Sequence, residues 1–226
     1  MKTNYPGHDE LYRERREGGR SGWATPEQHR VSVAELEQCL ASSFFPPRGR
    51  ILELGSGAGE VSVWLAGRGF DVCGVELSPT AVEWARERAA GAGVGVRFEV
   101  GDVLALAPDL RDFDVALDGH CFHCIIGPDR ARFLAGARTA LRPGGLLVVR
   151  TMCGPVTSPR LAAVFDEATR CILRDGYAWR YIGRAEDILG EIAAAGFDVR
   201  SSAIIPRDPS DADDQDELIA FATTRR

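Results

Sequence analysis

A chain of 226 residues with 45% hydrophobic and 27% charged side chains has the balance of one soluble globular domain, which excludes a disordered chain and makes two full domains unexpected. Its 27 Lys plus Arg against 33 Asp plus Glu, a formal charge of -6, suits neither a nucleic-acid backbone nor an anionic lipid surface. No stretch free of Asp, Glu, Lys and Arg exceeds about ten residues, half of what a membrane-spanning helix needs.

The start, MKTNYPGHDELYRERREGG, is charged where a secretory signal carries an apolar region, which predicts a cytoplasmic protein whose six cysteines remain thiols. Residues 1–47 read as a helical N-terminal extension. It holds a charged segment at 8–17, a break at Gly18-Gly19, and a helix opened by Thr25 as N-cap with Pro26 at its first position. Arg13, Arg15 and Arg16 alternate with Glu14 and Glu17 as on a solvated helix face.

Residues 48–226 form the main domain. Strands are predicted at ILEL (51–54), FDVCGVEL (70–77), VRFEVGD (96–102), FDVALD (113–118) and LLVVRT (146–151). Helices fall at 61–66, from the Ser78-Pro79 cap to about residue 90, and at 129–141, the last stopped by a Pro143-Gly144-Gly145 turn. This alternation predicts an α/β fold: a doubly wound, mostly parallel sheet covered on both faces. The tail adds a helix after Ser158-Pro159, another ending at Gly196, a strand VRSSAIIP, an acidic connection at 208–217 and a last strand ELIAFATT, with the final two strands pairing antiparallel. The acidic connection lacks the glycine and glutamate spacing of a calcium loop and reads as a solvated hairpin.

In an open α/β sheet, ligands sit at the carboxyl ends of the strands, so the first strand-to-helix turn, ELGSGAGE, is the place to look. Its glycines are Gly55, Gly57 and Gly59, whereas the dinucleotide fingerprint wants a glycine where Glu60 stands. A carboxylate at that helix mouth repels a diphosphate and suits a cationic, phosphate-free ligand. Glu76, at the end of the second strand, is placed to accept both ribose hydroxyls, and Asp102, ending the third, to accept from an adenine amino group. Singly, each is explained by turn packing or a solvated strand end; together they describe a nucleoside site.

Through E-L-G-S-G-A-G at 53–59, Glu76, Gly101-Asp102, FDVALD and LRPGGLLVV, the chain resembles the class I S-adenosylmethionine-dependent methyltransferases over about residues 50–226. The resemblance implies a Rossmann-like sheet of seven strands with the last one antiparallel between its neighbours, and S-adenosyl-L-methionine as cofactor. It also implies Glu53, Gly55, Gly57 and Gly59 around the methionine part, Glu76 on the ribose, Leu77 against the adenine, and Asp102 with Val103 at the adenine edge. Asp118, ending the fourth strand, is expected at the cofactor too.

The fourth strand leads into D-G-H-C-F-H-C-I-I-G at 118–127, where Asp118, Cys121, Phe122 and His123 resemble the D-x-x-C-F-H segment of the thiopurine, thiol and tellurite methyltransferase group. Three readings stand for this segment. His120 or His123 acts as base or hydrogen-bonds the acceptor; the two His and two Cys hold a metal, though so short a segment wraps one ion poorly; or the cysteines and Phe122 pack and the histidines are satisfied by backbone. No metal ligand is assigned. Tyr12 and Trp23 are candidate lid residues, and Cys121 and Met152 are expected to line the acceptor pocket. Tyr177, Trp179 and Tyr181 alternate with period two, as core packing of an extended segment or as a stacking surface.

The expected function is methyl transfer to S, N or O of a small molecule, by in-line displacement that requires alignment and exclusion of water. Neither nucleic acid nor membrane is an expected partner. A non-catalytic S-adenosylmethionine-binding protein and a metal- or metalloid-handling protein built on HCFHC are the alternatives.

Overall fold

The computed structural model describes residues 1–206 and 215–225. The main sheet is built by β1 (Arg50–Leu54), β2 (Asp71–Glu76), β3 (Arg97–Val100), β4 (Phe113–Asp118), β5 (Leu141–Met152), β9 (Phe197–Ile205) and β10 (Glu217–Thr224). Their order across the sheet is β3-β2-β1-β4-β5-β10-β9, with the first five parallel and β10 antiparallel to both neighbours. Fold class, strand number and the inserted last strand all match the expectation. The chain winds outward from β1 to β3, then restarts at β4 on the other side. The crevice at the carboxyl ends of β1 and β4 is therefore the topological switch point where ligands bind in such sheets.

Alternation along the strands divides the core between the two faces. Leu52 and Leu54 of β1 and Leu218 and Ala220 of β10 face one way, against Phe133 of α5 (Asp129–Ala140) and Ile192 of α7 (Ala185–Ala194). Ile51, Leu117 and Ile219 face the other, against Leu65 of α3 (Glu60–Ala66) and Leu36 of α2 (Pro26–Ala41). Leu36, Leu52, Leu54 and Ile51 are fully buried, each stabilising the fold by about 1.5–3 kcal/mol. Leu36 thus ties part of the N-terminal extension into the core. Thr25 opens α2 with a capping box, its hydroxyl accepting from the Gln28 N–H at 3.2 Å while the Gln28 side chain accepts from Thr25 N–H at 3.0 Å. Ser78 caps α4 (Pro79–Ala92) in the expected way, accepting from Ala81 N–H at 3.0 Å.

Two features depart from the sequence reading. Pro143-Gly144-Gly145 lies within β5 rather than ahead of it: α5 stops at Ala140, Leu141 is already extended and pairs with Phe113, and pairing resumes at Leu146 opposite Val115. The glycine turn is absorbed as an irregularity inside the strand. A second, antiparallel three-stranded sheet also stands beside the main one, made of β6 (Phe165–Asp166), β7 (Cys171–Arg174) and β8 (Tyr177–Tyr181) after the short α6 (Pro159–Ala162). β8 also meets the N-terminus, with Ala178 N–H donating to Lys2 carbonyl at 2.9 Å, and so brings α1 (Gly7–Glu17) over the strand ends. Most of the predicted acidic hairpin connection, residues 208–214, lies outside the described residues. Among the described residues, no helix is long and apolar enough to cross a membrane.

Candidate active site

β1 delivers the chain into the turn Gly55-Ser56-Gly57-Ala58-Gly59, which opens α3. Gly57 (φ 52°) and Gly59 (φ 77°) occupy the left-handed region, and both are crowded. A Cβ on Gly59 would lie 2.7 Å from Ala85 Cβ, and one on Gly57 would lie 2.6 Å from the Tyr12 hydroxyl. Glycine is required here for backbone conformation and for close approach together. Beneath the turn, Glu53 is buried and accepts the Ser62 hydroxyl; burial holds its carboxyl up at about 8.

Glu76, at the tip of β2, accepts the N–H of Gly57 at 3.0 Å and of Ser78 at 2.9 Å, with its carboxyl raised by burial. Those bonds lock the side chain against the glycine turn. Asp102, past β3, is exposed and accepts the Leu104 N–H at 2.8 Å. Leu77 and Val103 are half-buried beside these acids.

The turn after β4 is organised by Asp118. One oxygen accepts the N–H groups of Cys121 (2.8 Å) and Phe122 (3.0 Å), the other that of Arg150 (3.3 Å), and burial raises the carboxyl to about 6. Asp118 was expected on the cofactor; it lies in the cavity wall, but both oxygens serve the backbone. Cys121 donates its thiol to Leu54 carbonyl at 3.2 Å, and burial keeps that thiol well above its usual range and the Cys124 thiol at about 11. Among the described residues, no three His, Cys, Asp or Glu side chains gather as a metal site.

The two histidines separate in character. His123 is 3% exposed, burial drives its pKa well down, and its Nδ1 has no partner. His120 is 39% exposed at the side chain, held at φ 65°, with its ring edge-on to His123 at 4.7 Å between centroids. Its Nε2 lies 3.3 Å from the buried carboxylate of Glu217. Glu217 in turn meets Arg150 Nε at 3.1 Å, and Arg150 meets Glu35 at 2.6 Å and Ser32 at 3.2 Å. This row joins β10, β5 and α2 behind His120, and the sequence reading missed it. Its only trace was a charge at the head of ELIAFATT and another inside LLVVRT, both otherwise apolar strands.

α1 covers the glycine turn. Tyr12 is buried over Gly57 with Trp23 at 5.0 Å, and Arg15 lies over the Trp23 ring at 3.8 Å. Arg15 and Arg16 are therefore not a solvated face: Arg16 pairs with Glu83 and Glu87 of α4. Asp9 latches α1 to the head of α4, accepting the Ser78 hydroxyl at 2.6 Å and the Thr80 N–H at 3.1 Å. Partial burial pulls its carboxyl up, but the bonds from Ser78, Arg13 and Thr80 prevail and hold it well below the usual carboxylate range. Trp179 of β8 stacks on His8, 4.3 Å between centroids and 10° between planes. Of the period-two aromatics, Trp179 thus faces the site, Tyr181 lies beneath Arg130, and Tyr177 is exposed.

These groups border one cavity of about 830 Å³. The predicted Glu53, Gly55, Gly57, Glu76, Leu77, Asp102 and Val103 line one part of it. Tyr12, Trp23, Asp118, His120, Cys121, His123 and Met152 line the rest. Gly59 alone sits behind the wall, packing α3 against Ala85.

Residues 51–145 match the family model of a methyltransferase domain. A ubiquinone biosynthesis O-methyltransferase of Azorhizobium caulinodans is 33% identical over 171 residues, covering 75% of this chain and 67% of that protein. Across the first three such relatives the chain spans 60 to 67% of their length. Among solved structures, a protein of Pyrococcus horikoshii shares the fold at a TM-score of 0.72 with 19% identity, over 90% of this chain and 93% of that one. So does the 1,6-didemethyltoxoflavin N1-methyltransferase of Burkholderia thailandensis, solved with 1,6-didemethyltoxoflavin and S-adenosylhomocysteine, at a TM-score of 0.66 with 23% identity over 88% and 78%. A turn crowded to glycine, the buried acids Glu53 and Glu76 beside it and a carboxylate, Glu60, opening α3 fit the cationic nucleoside S-adenosylmethionine as cofactor. The chain belongs to the class I S-adenosylmethionine-dependent methyltransferases.

Proposed function

We propose that this chain transfers the methyl group of S-adenosylmethionine to a hydroxyl of a small organic molecule in the cytoplasm, with residues 1–47 acting as a cover over the domain formed by 48–226. The observation that carries the reading is the opening of the acid-lined glycine turn and of the His120–Glu217 pair into the same cavity. When bound, the cofactor supplies an electrophilic methyl group on a sulfonium.

In this reading Glu76 accepts the ribose hydroxyls, Leu77 and Val103 flank the adenine, and Asp102 accepts from its amino group. Gly55 and Gly57 admit the backbone close to the ligand, and Glu53 faces its amino-acid end, giving up its proton as the cationic ligand binds. His120 takes the proton of the acceptor hydroxyl. Glu217 accepts from His120 Nε2–H, fixing the tautomer and leaving the Nδ1 lone pair for that proton. A hydroxyl benefits from a positioned base more than a thiol does, and His120 with Glu217 behind it is such a base. The likeness to thiopurine, thiol and tellurite enzymes rests on Asp118, Cys121, Phe122 and His123, the first three of which here build the turn, so it adds little weight to a sulfur acceptor. Tyr12, Trp23, Cys121 and Met152 line the acceptor and exclude water from it.

Incubating the protein with methyl-labelled S-adenosylmethionine and a panel of phenols, alcohols, amines and thiols, with products identified by mass spectrometry, tests the reading. Methylated phenols or alcohols are expected, and His120→Ala is expected to lower kcat by roughly 100-fold or more while S-adenosylhomocysteine still binds. Binding of S-adenosylhomocysteine with no product from any acceptor would instead mark a non-catalytic binding protein.

A further inference from the structure

We infer that the acceptor is a flat molecule bearing a carboxylate, and that Arg180 on β8 receives that carboxylate; this rests on the methyl-transfer reading above. Arg180 borders the cavity, its Nη1 has only the Met152 sulfur within reach, at 3.9 Å, and its buried Nε has no acceptor. Among the described residues, no carboxylate pairs with it. Other arginines at or near the cavity are matched: Arg150 by Glu35 and Glu217, Arg88 by Glu60, Arg16 by Glu83 and Glu87. In a chain of net charge -6, an unmatched guanidinium at the cavity is a conspicuous exception.

It is also not alone. Arg15, facing the same cavity from α1, lies over the Trp23 ring; its buried Nε has no acceptor and its one hydrogen bond is to the Leu11 carbonyl, at 3.4 Å. Arg20 borders the cavity too, and Arg174 of β7, behind its wall, lies over the Trp179 ring at 5.1 Å with the exposed Asp175 at 3.7 Å. After burial, His8 is pushed toward its neutral form by Arg180, Arg174 and Arg15 together, which places it inside this positive corner. A guanidinium out of water needs acceptors for its fork of N–H groups, and a planar carboxylate matches that fork with two parallel bonds.

The remaining wall is aromatic. Trp179 lies flat on His8 and carries Arg174 over its ring at 5.1 Å, while Arg15 lies over Trp23, which stands 6.2 Å from His8. With their faces covered, these rings meet an aromatic acceptor edge-to-face, its charge leading into the guanidinium. The opposite part of the cavity carries Glu53, Glu76 and Glu217, and its arginine, Arg150, is already taken up by Glu35 and Glu217, so it offers an anion no free guanidinium. The acceptor is thereby oriented, with its anionic end at Arg180 and its reacting end toward His120.

Calorimetry on the full chain, with and without saturating S-adenosylhomocysteine, compares matched pairs: hydroxybenzoic, dihydroxybenzoic and hydroxyindole carboxylic acids against their carboxamides. At least one acid is expected to bind on the order of tenfold tighter than its amide. Arg180→Gln should abolish that preference, Arg15→Gln should reduce it, and Arg200→Gln, on the exposed edge strand, should retain it. No acid preferred over its amide, or a preference that survives Arg180→Gln, overturns the proposal. So does an Arg180→Gln variant that weakens S-adenosylhomocysteine but not 5′-methylthioadenosine, since the carboxylate would then be the cofactor's own. A wild-type protein that binds no S-adenosylhomocysteine sinks the methyltransferase reading, while the measurements without it still report the acid-to-amide preference.

Discussion

The two parts of the cavity are made in different ways. The proposed cofactor part comes from the ends of three successive strands, β1, β2 and β3, and its groups sit where main-chain geometry puts them: Glu76 is held by backbone N–H groups and Gly57 by its own φ. The proposed acceptor part gathers α1, the turn after β4, the tip of β5, β8 and β10, with Tyr12 and Glu217 both contributing. One side is fixed by the fold and the other by which distant segments meet there. The acceptor side can therefore change its chemistry while the cofactor side stays as it is.

The sharpest way to break this division is at Glu76. Glu76→Ala removes both proposed ribose contacts and the two bonds that hold the glycine turn, so S-adenosylhomocysteine affinity should fall by 100-fold or more, about 3–6 kcal/mol for two charged hydrogen bonds. Calorimetric titration showing unchanged affinity would move the ribose elsewhere. An acceptor-side variant such as His120→Ala should show the reverse pattern, slow turnover with cofactor binding retained. Next in size is Gly59→Ala, which meets the Ala85 methyl and the Phe98 ring and places a side chain at φ 77°. Strain and overpacking together should cost about 2–4 kcal/mol of stability in urea unfolding. A loss below about 1 kcal/mol would mean that α3 shifts away from α4 without penalty, and the cofactor side is less rigid than described.

The same division explains what the sequence disclosed. Strand ends, Ser78 and Thr25 caps and the glycine turn are local, so period and spacing carry them. Glu76 closes β2, Glu53 stands one residue before the end of β1 and Asp102 two past the end of β3, so their positions follow from strands whose length is legible. Asp118 shows where this stops: its position was evident, but its bonding to Cys121, Phe122 and Arg150 depends on a turn whose shape the residue types do not encode. The row from His120 through Glu217 to Arg150 and Glu35 joins segments up to 182 residues apart in number, from Glu35 to Glu217. Only the antiparallel insertion of β10 beside β5 brings them together. Arg180 is hidden in the sequence for the same reason, and Trp179 is legible only as one of a period-two aromatic row, because the small sheet that presents them pairs with the N-terminus.

A smaller effect separates the two parts by charge. Glu53 is held near 8 by burial, against about 4.5 in an unfolded chain, so the native state keeps a proton that the unfolded chain has already released. Its contribution to stability is complete below about pH 4.5 and is lost as pH rises through 8. Between pH 7 and 8.5, stability should therefore decline with pH, by at most about 1.4 kcal/mol per unit for one proton. His8 and His123, whose pKa values are lowered, act below about 6.5 with the opposite sign. The buried thiols, whose pKa values are raised, add a decline of the same sign as Glu53 toward pH 8.5, because the unfolded chain releases their protons first. Glu53→Gln keeps an acceptor for Ser62 and should make the decline shallower than in wild type, with the variant more stable at pH 8.5 by chemical unfolding. Wild-type and Glu53→Gln profiles that run parallel between pH 7 and 8.5 would mean Glu53 is already ionised without a ligand. The cofactor side would then carry a standing negative charge, rather than one that a cationic ligand draws out by displacing the proton.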